Sequence, residues 1–428
     1  MSLRRAASLG ALQTAVSMVA SFLSVKVTSV FLGPAGMGTL GQLQYFIAMS
    51  QTAVTSGLNT GIVRRTAEHG VHSEERVRAI ATAWRLLLWV GVPAAALMAL
   101  ASGQLATRLL HDSQLSTAVL VFALTYVLGL VATLITGAAN GAKDYKATAT
   151  INIGTVLSTL VLYVLLCPWL GVAGGLLAAA IVPASALLVA GAVARGKAWW
   201  PAKPWSSPFS SAEAKAIASF VPMAAVGAVA LPLVQILVRD EVAAHSGMAA
   251  VGWLHGTHRV SEIYVGLATS VLGMYYLPRF SEIRDAGELQ RELGRALLLL
   301  VPAVALTAGA VYLFRDQIIA LLFTEQFLPM RDLFGWQMAG TVFKVLAWLL
   351  GVLLMAKALP IAVTVFELVT YVLWWQLAMH WVSERGAVGA TQAYFATYLA
   401  YSAAAVVGVA LVLRGMRRRA AFAQEKAP

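Results

Sequence analysis

Four polar side chains recur at helical spacing within an otherwise apolar stretch: His255, His258, Arg259 and Glu262. Residues three, four or seven apart share one face of a helix. Such a face can hold a metal ion, pass a proton or coupling ion, or line a polar cavity with an internally compensated Arg259–Glu262 pair. Three further charges interrupt apolar runs: Lys26, Lys344 and Glu367. A charge at the centre of a bilayer costs about 2.5–3.5 kcal/mol on insertion scales, and such residues face a protein interior or a cavity. Lysine and arginine in that setting bind anions through charge-assisted hydrogen bonds. Lys26, Arg259 and Lys344 are therefore the candidate substrate-binding cations, and Glu262 and Glu367 the candidate ion-coupling or cavity carboxylates. A buried Lys344–Glu367 structural pair is the alternative for those two. Lys26 has its own alternatives, snorkelling outward or structural pairing. Gln13, Ser17, Ser21, Ser24 and Thr28 form a polar stripe on the same helix, and at about 100° per residue Lys26 points almost opposite to it. Both line one cavity only if the helix bends, which serine and threonine promote by bonding back to the i−4 carbonyl.

Other chemistries find little support. The chain contains no H-E-x-x-H and no G-x-S-x-G, and no catalytic group is expected. Residues 36–41, GMGTLG, formally match G-x-G-x-x-G. That motif binds dinucleotides only after a strand in a βαβ unit, whereas here it lies between apolar helices. Its glycines are expected to serve a tight turn and close helix approach. Gly137 with Gly141, and Gly171 with Gly175, have small-xxx-small spacing and read as packing. The single cysteine, Cys167, allows no internal disulfide and fits no multi-cysteine metal site. No cofactor and no metal are expected.

The elements that must position these charges are membrane helices. Only 12% of residues are charged and 59% are hydrophobic, with mean hydropathy +0.76. Soluble domains carry about 25% charged residues, so lipid must be the solvent over most of the chain. About 20 largely apolar residues are needed to span. Twelve stretches qualify, near 8–32, 38–62, 80–101, 116–140, 147–167, 170–194, 214–238, 248–277, 296–314, 332–356, 360–381 and 387–413. The first is too long for a signal-peptide core and is followed at once by a second, so it is expected to be retained, with Arg4 and Arg5 as a cytoplasmic anchor.

Of the 31 lysines and arginines, 22 fall in the termini and connections on the same side of the membrane as the N-terminus, and five (Arg108, Arg239, Arg315, Arg331, Arg385) in those on the other. Four lie inside spans: Lys26, Arg85, Arg259 and Lys344. Arg85 is close to the cytoplasmic end and is expected to snorkel. The bias predicts cytoplasmic N- and C-termini. It also accounts for the net charge of +12 without a nucleic-acid partner. The segment RGKAWWPAKPWSSPFSSAEAK, 195–215, collects proline, tryptophan, serine and lysine at mid-chain. It divides an N-terminal six-helix lobe, 1–194, from a C-terminal lobe, 214–428, with 195–213 as a cytoplasmic linker and a basic tail at the end. The halves echo each other at an offset of 214. Gly33 then matches Gly247, Gly38 matches Gly252, Arg65 matches Arg279 and Glu68 matches Glu282. An even number of spans per half gives parallel repeats about an axis along the membrane normal, a transporter architecture.

Several stretches carry a family resemblance. YLPRFSEIRD (276–285), QFLPMRDLFGWQMAGTVFKVLAWLLGVLLMAKA (326–358), GAVGATQAYFATYLAYS (386–402) and FLGPAGMG in the first half resemble the Wzx-type O-antigen translocases, most closely the lipid III flippases of enterobacterial common antigen synthesis. The resemblance runs nearly end to end and is most specific over 326–358. It implies an all-α polytopic fold of the multidrug/oligosaccharidyl-lipid/polysaccharide exporter superfamily, with about twelve transmembrane helices in two pseudo-symmetric six-helix lobes around a central cavity. It implies a bacterial inner-membrane location and an undecaprenyl-diphosphate-linked glycan as cargo, moved from the cytoplasmic to the periplasmic leaflet, with the lipid bilayer and a downstream glycan polymerase as further partners. Lys26, Glu262, Lys344 and Glu367 match charged positions of the family. At Glu262 only the carboxylate carries over, because some relatives have aspartate there. Arg279 has no basic counterpart in the family and is left out of the site.

Two other functions compete. A multidrug exporter of the same superfamily would take cationic drugs and favour an acidic cavity, whereas the five central charges here are three basic and two acidic. A membrane glycan polymerase or ligase should place reactive groups in substantial external loops, but the longest external connection, 315–331, reads as an interfacial helix. A structural membrane protein without transport would not need the repeat or the central charges. The orientation is testable directly. Reporter fusions after Lys215 and Pro428 should report cytoplasm, and fusions near Gln326 periplasm; a periplasmic C-terminus would overturn the arrangement.

Overall fold

The computed structural model describes residues 3–70, 73–201, 203–218, 221–357 and 359–425, with the side chains of 3–9, 11, 219–226, 360 and 419–425 outside the description. The anchor side chains expected at Arg4 and Arg5, and the tail cations Arg419 and Lys426, lie outside it. Eight long helices carry the fold: α1 Leu3–Glu68, α2 Glu74–Leu100, α3 Ser116–Gly141, α4 Tyr145–Ala194, α5 Val221–Val271, α6 Ala286–Leu313, α7 Arg331–Ala356 and α8 Pro360–Glu425. Seven of them are apolar enough over a sufficient length to cross a membrane. The eighth, α5, carries Arg239, Asp240, Glu241, His255, His258, Arg259 and Glu262. The chain is an all-helical, multi-pass membrane protein.

Four of the long helices are broken once, at Gly33, Gly171, Gly247 and Gly386. Each of these glycines has φ between +55° and +77°, where a side chain would strain the backbone. With each break counted, the described residues contain twelve long segments, matching the twelve expected stretches. A single glycine thus does the work expected of a loop, and the segments run several residues further than hydropathy indicates. The breaks also recur between the halves. Gly33 and Gly247 share one conformation (ψ −176° and 168°), and Gly171 and Gly386 share another (ψ −130° and −141°). After the second type, an added Cβ at Gly174 would meet the Leu166 carbonyl oxygen at 2.1 Å, and one at Gly389 the Trp381 oxygen at 2.1 Å. Arg65 and Glu68 pair at 2.6 Å, and their counterparts Arg279 and Glu282 at 4.0 Å.

Two sequence expectations need correction. The turn falls at Gly33, not within GMGTLG. Residues 36–41 are helical because Gly33 supplies the positive φ and Pro34 can open the next helical segment. Gly36 still permits close approach, since a Cβ there would lie 2.6 Å from Val172 Cγ2. Likewise Gly171 is a break, and only Gly175, against Leu32, serves packing.

By its contacts the chain divides into two compact units, Met1–Ile236 and Leu237–Pro428. In the first, α4 packs along α1 and α3 over a core that includes Phe46, Phe122 and Tyr126. Arg76 is buried and donates to the Ala138 carbonyl at 3.2 Å. The segment expected as a linker is fastened to this unit. Asp144 caps α4 through the Ala147 amide and accepts from Trp199 Nε1 (3.0 Å) and Lys197 (3.2 Å). Partial burial pushes the Asp144 carboxyl up, but these donors together hold it below its ordinary range. Arg85 donates to the Trp205 carbonyl at 3.0 Å instead of simply snorkelling. The short helix Ser211–Ala218 presents Glu213 to Arg65, bonded at 2.8 and 2.5 Å. In the second unit, α7 packs against α6 and α8. Lys357 donates to the carbonyls of Phe280 (2.7 Å) and Ile283, closing the helix Leu277–Glu282 against the end of α7.

Helix approach at Gly141 gives a stability test. A Cβ there would lie 1.8 Å from Thr66 Oγ1 and 2.7 Å from the Val63 carbonyl oxygen. Gly141→Ala should cost about 1–3 kcal/mol. Gly191→Ala, whose Cβ would meet nothing within 4 Å, should hold or raise stability through helix propensity. Thermal unfolding of the two variants in detergent checks the contrast.

Candidate functional site

The second unit brings three helical stripes together. After the break at Gly247, α5 carries His258, Ser261 and Glu262 within one turn. On α7, Gln337, Thr341, Lys344 and Trp348 follow at steps of three and four. On α8, Tyr371 and Trp374 precede the Gly386 break, and Tyr394, Tyr398 and Tyr401 follow it.

His258 Nε2 lies 3.0 Å from Glu262 Oε1, and Arg259 Nη1 lies 3.9 Å from Glu262 Oε2. The Gln337 amide nitrogen sits 3.3 Å from both His258 Nδ1 and Ser261 Oγ. The His258 ring meets Tyr394 edge to face at 6.3 Å. Lys344 is 5% exposed. Its ammonium lies over Trp348 at 4.6 Å, with Tyr398 at 5.7 Å and Tyr394 at 5.9 Å. Tyr394 and Tyr398 are packed on each other at 4.8 Å, and Trp374 backs Tyr394 at 5.4 Å. Ring faces stabilise a desolvated cation by about 2 kcal/mol or more, comparable to the cost of placing it there. They do so without occupying its N–H groups, and no acceptor bonds those groups among the described residues. Glu262 is the acidic group near enough to act on the Lys344 charge. Lys344, Arg259, His258 and Glu262 therefore form one electrostatic cluster.

The remaining expected residues lie elsewhere. Glu367 forms no ion pair with Lys344 among the described residues. It lines a separate cavity of about 230 Å³, whose wall includes Trp348 and Tyr401. Trp348 thus serves both the lysine and the glutamate cavity. Lys26 belongs to the first unit and is half-buried. The stripe on its helix splits: Gln13 and Ser17 line a cavity, whereas Ser24 and Thr28 bond back to the Ala20 and Ser24 carbonyls at 2.8 Å. Lys26 is not among the residues lining that cavity. No three metal-ligating side chains converge among the described residues.

Sequence reasoning missed two features. The sequence places Arg239 in an external connection, but α5 continues past it to Gly247, and it is fully buried and acts electrostatically on His255 and His258. The aromatic shell was also missed. Its signal was the helical spacing of Tyr394, Tyr398 and Tyr401, which by itself reads as ordinary core.

The profile of a family described as "Polysaccharide biosynthesis protein" matches residues 28–332. The lipid III flippases of Escherichia coli (strain K12) and Shigella flexneri are each 29% identical over 403 residues, covering 94% of this chain and 96% of theirs. Among solved structures, an inward-facing multidrug resistance MATE family transporter of the MOP superfamily aligns with TM-score 0.79 at 14% identity, covering 94% of this chain and 96% of that one. The lipid II flippase MurJ in an inward closed conformation aligns with TM-score 0.74 at 9% identity, over 94% and 87%. These two likenesses establish the fold.

The cluster predicts opposite effects of removing its two signs. Lys344→Met deletes a costly charge among rings and should leave stability unchanged or raised. Glu262→Gln leaves two cations without their carboxylate and should cost about 1–2 kcal/mol, moderated by the 42% exposure of that side chain. The double variant should recover part of the loss, measured as a thermal-unfolding double-mutant cycle.

Proposed function

The chain belongs to the polysaccharide biosynthesis protein family, and we propose that within it the protein is a flippase for an undecaprenyl-diphosphate-linked oligosaccharide. The cargo is lipid III or an O-antigen repeat unit, carried from the cytoplasmic to the periplasmic leaflet of a bacterial inner membrane by alternating access. In this reading the protein is a transporter and not an enzyme. Its twelve helical segments span as two six-helix lobes around a central cavity, divided at the 195–213 strap, with both termini cytoplasmic. The full-length likeness to the lipid III flippases supports the cargo class.

The observation that carries the reading is Lys344. A buried ammonium faced by aromatic rings, with N–H groups left for an incoming acceptor, fits a diphosphate oxygen. Arg259 adds a second donor, and low local dielectric strengthens both. Glu262 compensates part of this charge while the site is empty. Lys26 would supply the first-lobe contact, so that cargo bridges the lobes, with the polyprenyl tail remaining in lipid. Glu262 and Glu367 would release cargo on protonation or cation binding.

A multidrug exporter is the second reading, favoured by the likeness of the fold to a multidrug transporter. Cationic drugs, however, would meet Lys344 and Arg259 first. Reconstitution decides between the two. Vesicles containing the protein should translocate an undecaprenyl-diphosphate-linked glycan and not an organic cation. Lys344→Ala should reduce translocation more than expression, and Lys344→Arg should retain part of it, unless bidentate geometry matters. Lys26→Ala should also slow translocation; unaltered flipping by that variant would reduce Lys26 to an anchor. Drug efflux without glycan translocation would overturn the proposal.

A further inference from the structure

We infer that a neutral, amide-lined cavity within the first unit is the subsite for the sugar portion of the cargo, separate from the cationic site for its diphosphate. The inference rests on the flippase reading for the identity of the cargo. The cavity has a volume of about 720 Å³, within the range of about 300–1,000 Å³ typical of ligand pockets. Its wall comes from α1, α3 and both segments of α4. Among the described residues, no lysine, arginine, aspartate, glutamate or histidine lines it. The polar groups are carboxamides and hydroxyls, among them Gln13, Gln44, Gln51, Asn152, Thr155 and Tyr163.

These groups lie at bilayer depth. Gln44 and Gln51 stand roughly 16 and 27 Å of helix rise from the break at Gly33. Asn152 stands about 28 Å from the break at Gly171. With a cytoplasmic N-terminus, the cavity therefore occupies the middle and cytoplasmic half of the membrane, the side from which cargo would load. Gln44 Nε2 donates to the Tyr163 hydroxyl at 2.9 Å, which fixes both groups across the cavity. The side-chain amides of Gln13, Gln51 and Asn152 make no hydrogen bond to the protein among the described residues. Gly129 keeps the wall open beside Gln51, since a Cβ there would lie 2.7 Å from Gln51 Nε2.

The chemistry selects the occupant. A polyprenyl or acyl chain would bury several amides without partners, at a cost of about 1–3 kcal/mol each. An organic cation would find no carboxylate, and a diphosphate no cation. A neutral sugar presents hydroxyl and acetamido groups that both donate and accept, as the lining carboxamides and hydroxyls do. Recognition of the glycan would then depend on the first unit, and retention of the diphosphate on Arg259 and Lys344 in the second.

The test reads binding to the full-length protein in nanodiscs, using undecaprenyl diphosphate with and without an attached N-acetylglucosamine. Gln51→Leu and Asn152→Leu should each lower the preference for the glycosylated lipid by about fivefold, the effect of losing one or two neutral hydrogen bonds. Affinity for the bare lipid should stay within about twofold. An unchanged preference, or equal loss for both lipids, would overturn the inference. A second measurement avoids the destabilising substitutions. The single cysteine, Cys167, is buried, so Thr155→Cys supplies one reactive thiol on the cavity wall. Diacetylchitobiose should slow its maleimide labelling and inorganic diphosphate should not; the reverse pattern would also overturn the inference. Binding preference without translocation would sink the flippase reading and leave the sugar subsite standing. Translocation with unchanged preference would do the opposite.

Discussion

Hydrocarbon cannot hydrogen-bond, and nearly every feature of this chain answers that constraint. Backbone groups at membrane depth must be satisfied within the protein, so the described residues form long helices joined by little else. At four positions one glycine at positive φ breaks the helix, changing the chain's direction while exposing few backbone groups. Side-chain hydroxyls obey the same rule. Ser24, Thr28, Thr55 and Thr66 turn back to carbonyls three or four residues earlier, which makes them nearly invisible to lipid.

Charges are harder to hide, and the second unit shows one solution. Lys344 is held by quadrupoles in place of carboxylates. A carboxylate in direct contact would neutralise the lysine and compete with any anion for its N–H groups. Rings stabilise the charge and leave those groups available. Glu262 is tied instead to His258 and Arg259, close enough to temper the field at Lys344 without bonding to it. The first unit shows the other solution. Its cavity of about 720 Å³ is lined by carboxamides and hydroxyls with no charged side chain among the described residues, so no counter-charge is needed there.

The described residues of 195–210 illustrate how a segment outside any helix is fixed. Its tryptophans and lysine suggest a headgroup anchor, and they also make specific bonds: Trp199 and Lys197 to Asp144, and the Trp205 carbonyl to Arg85. The clasp between Arg65 and Glu213 then ties the short helix Ser211–Ala218 to the end of α1. Gly61 makes the approach possible, since a Cβ there would lie 2.8 Å from Ile217 Cα.

Hydropathy and charge by themselves marked the apolar stretches that fold as helical segments, the placement of most basic residues outside them, and the short set of interior charges. The offset of 214 determined the repeat to the point that Gly33 and Gly247 share one backbone conformation. All of these are properties of single helices or of local sequence, which is why they were legible. Partner choice was not. Whether Lys344 lies nearer Glu367 or Glu262 depends on how α5, α7 and α8 are rotated against one another, which no single helix encodes. Arg239 looked like a loop residue because its span was cut short by three consecutive charges, yet the helix continues and buries it. The aromatic shell was hidden for the same reason: tyrosines at helical spacing look alike in a core and around a cation, and only the packing of three helices on one another decides which they are.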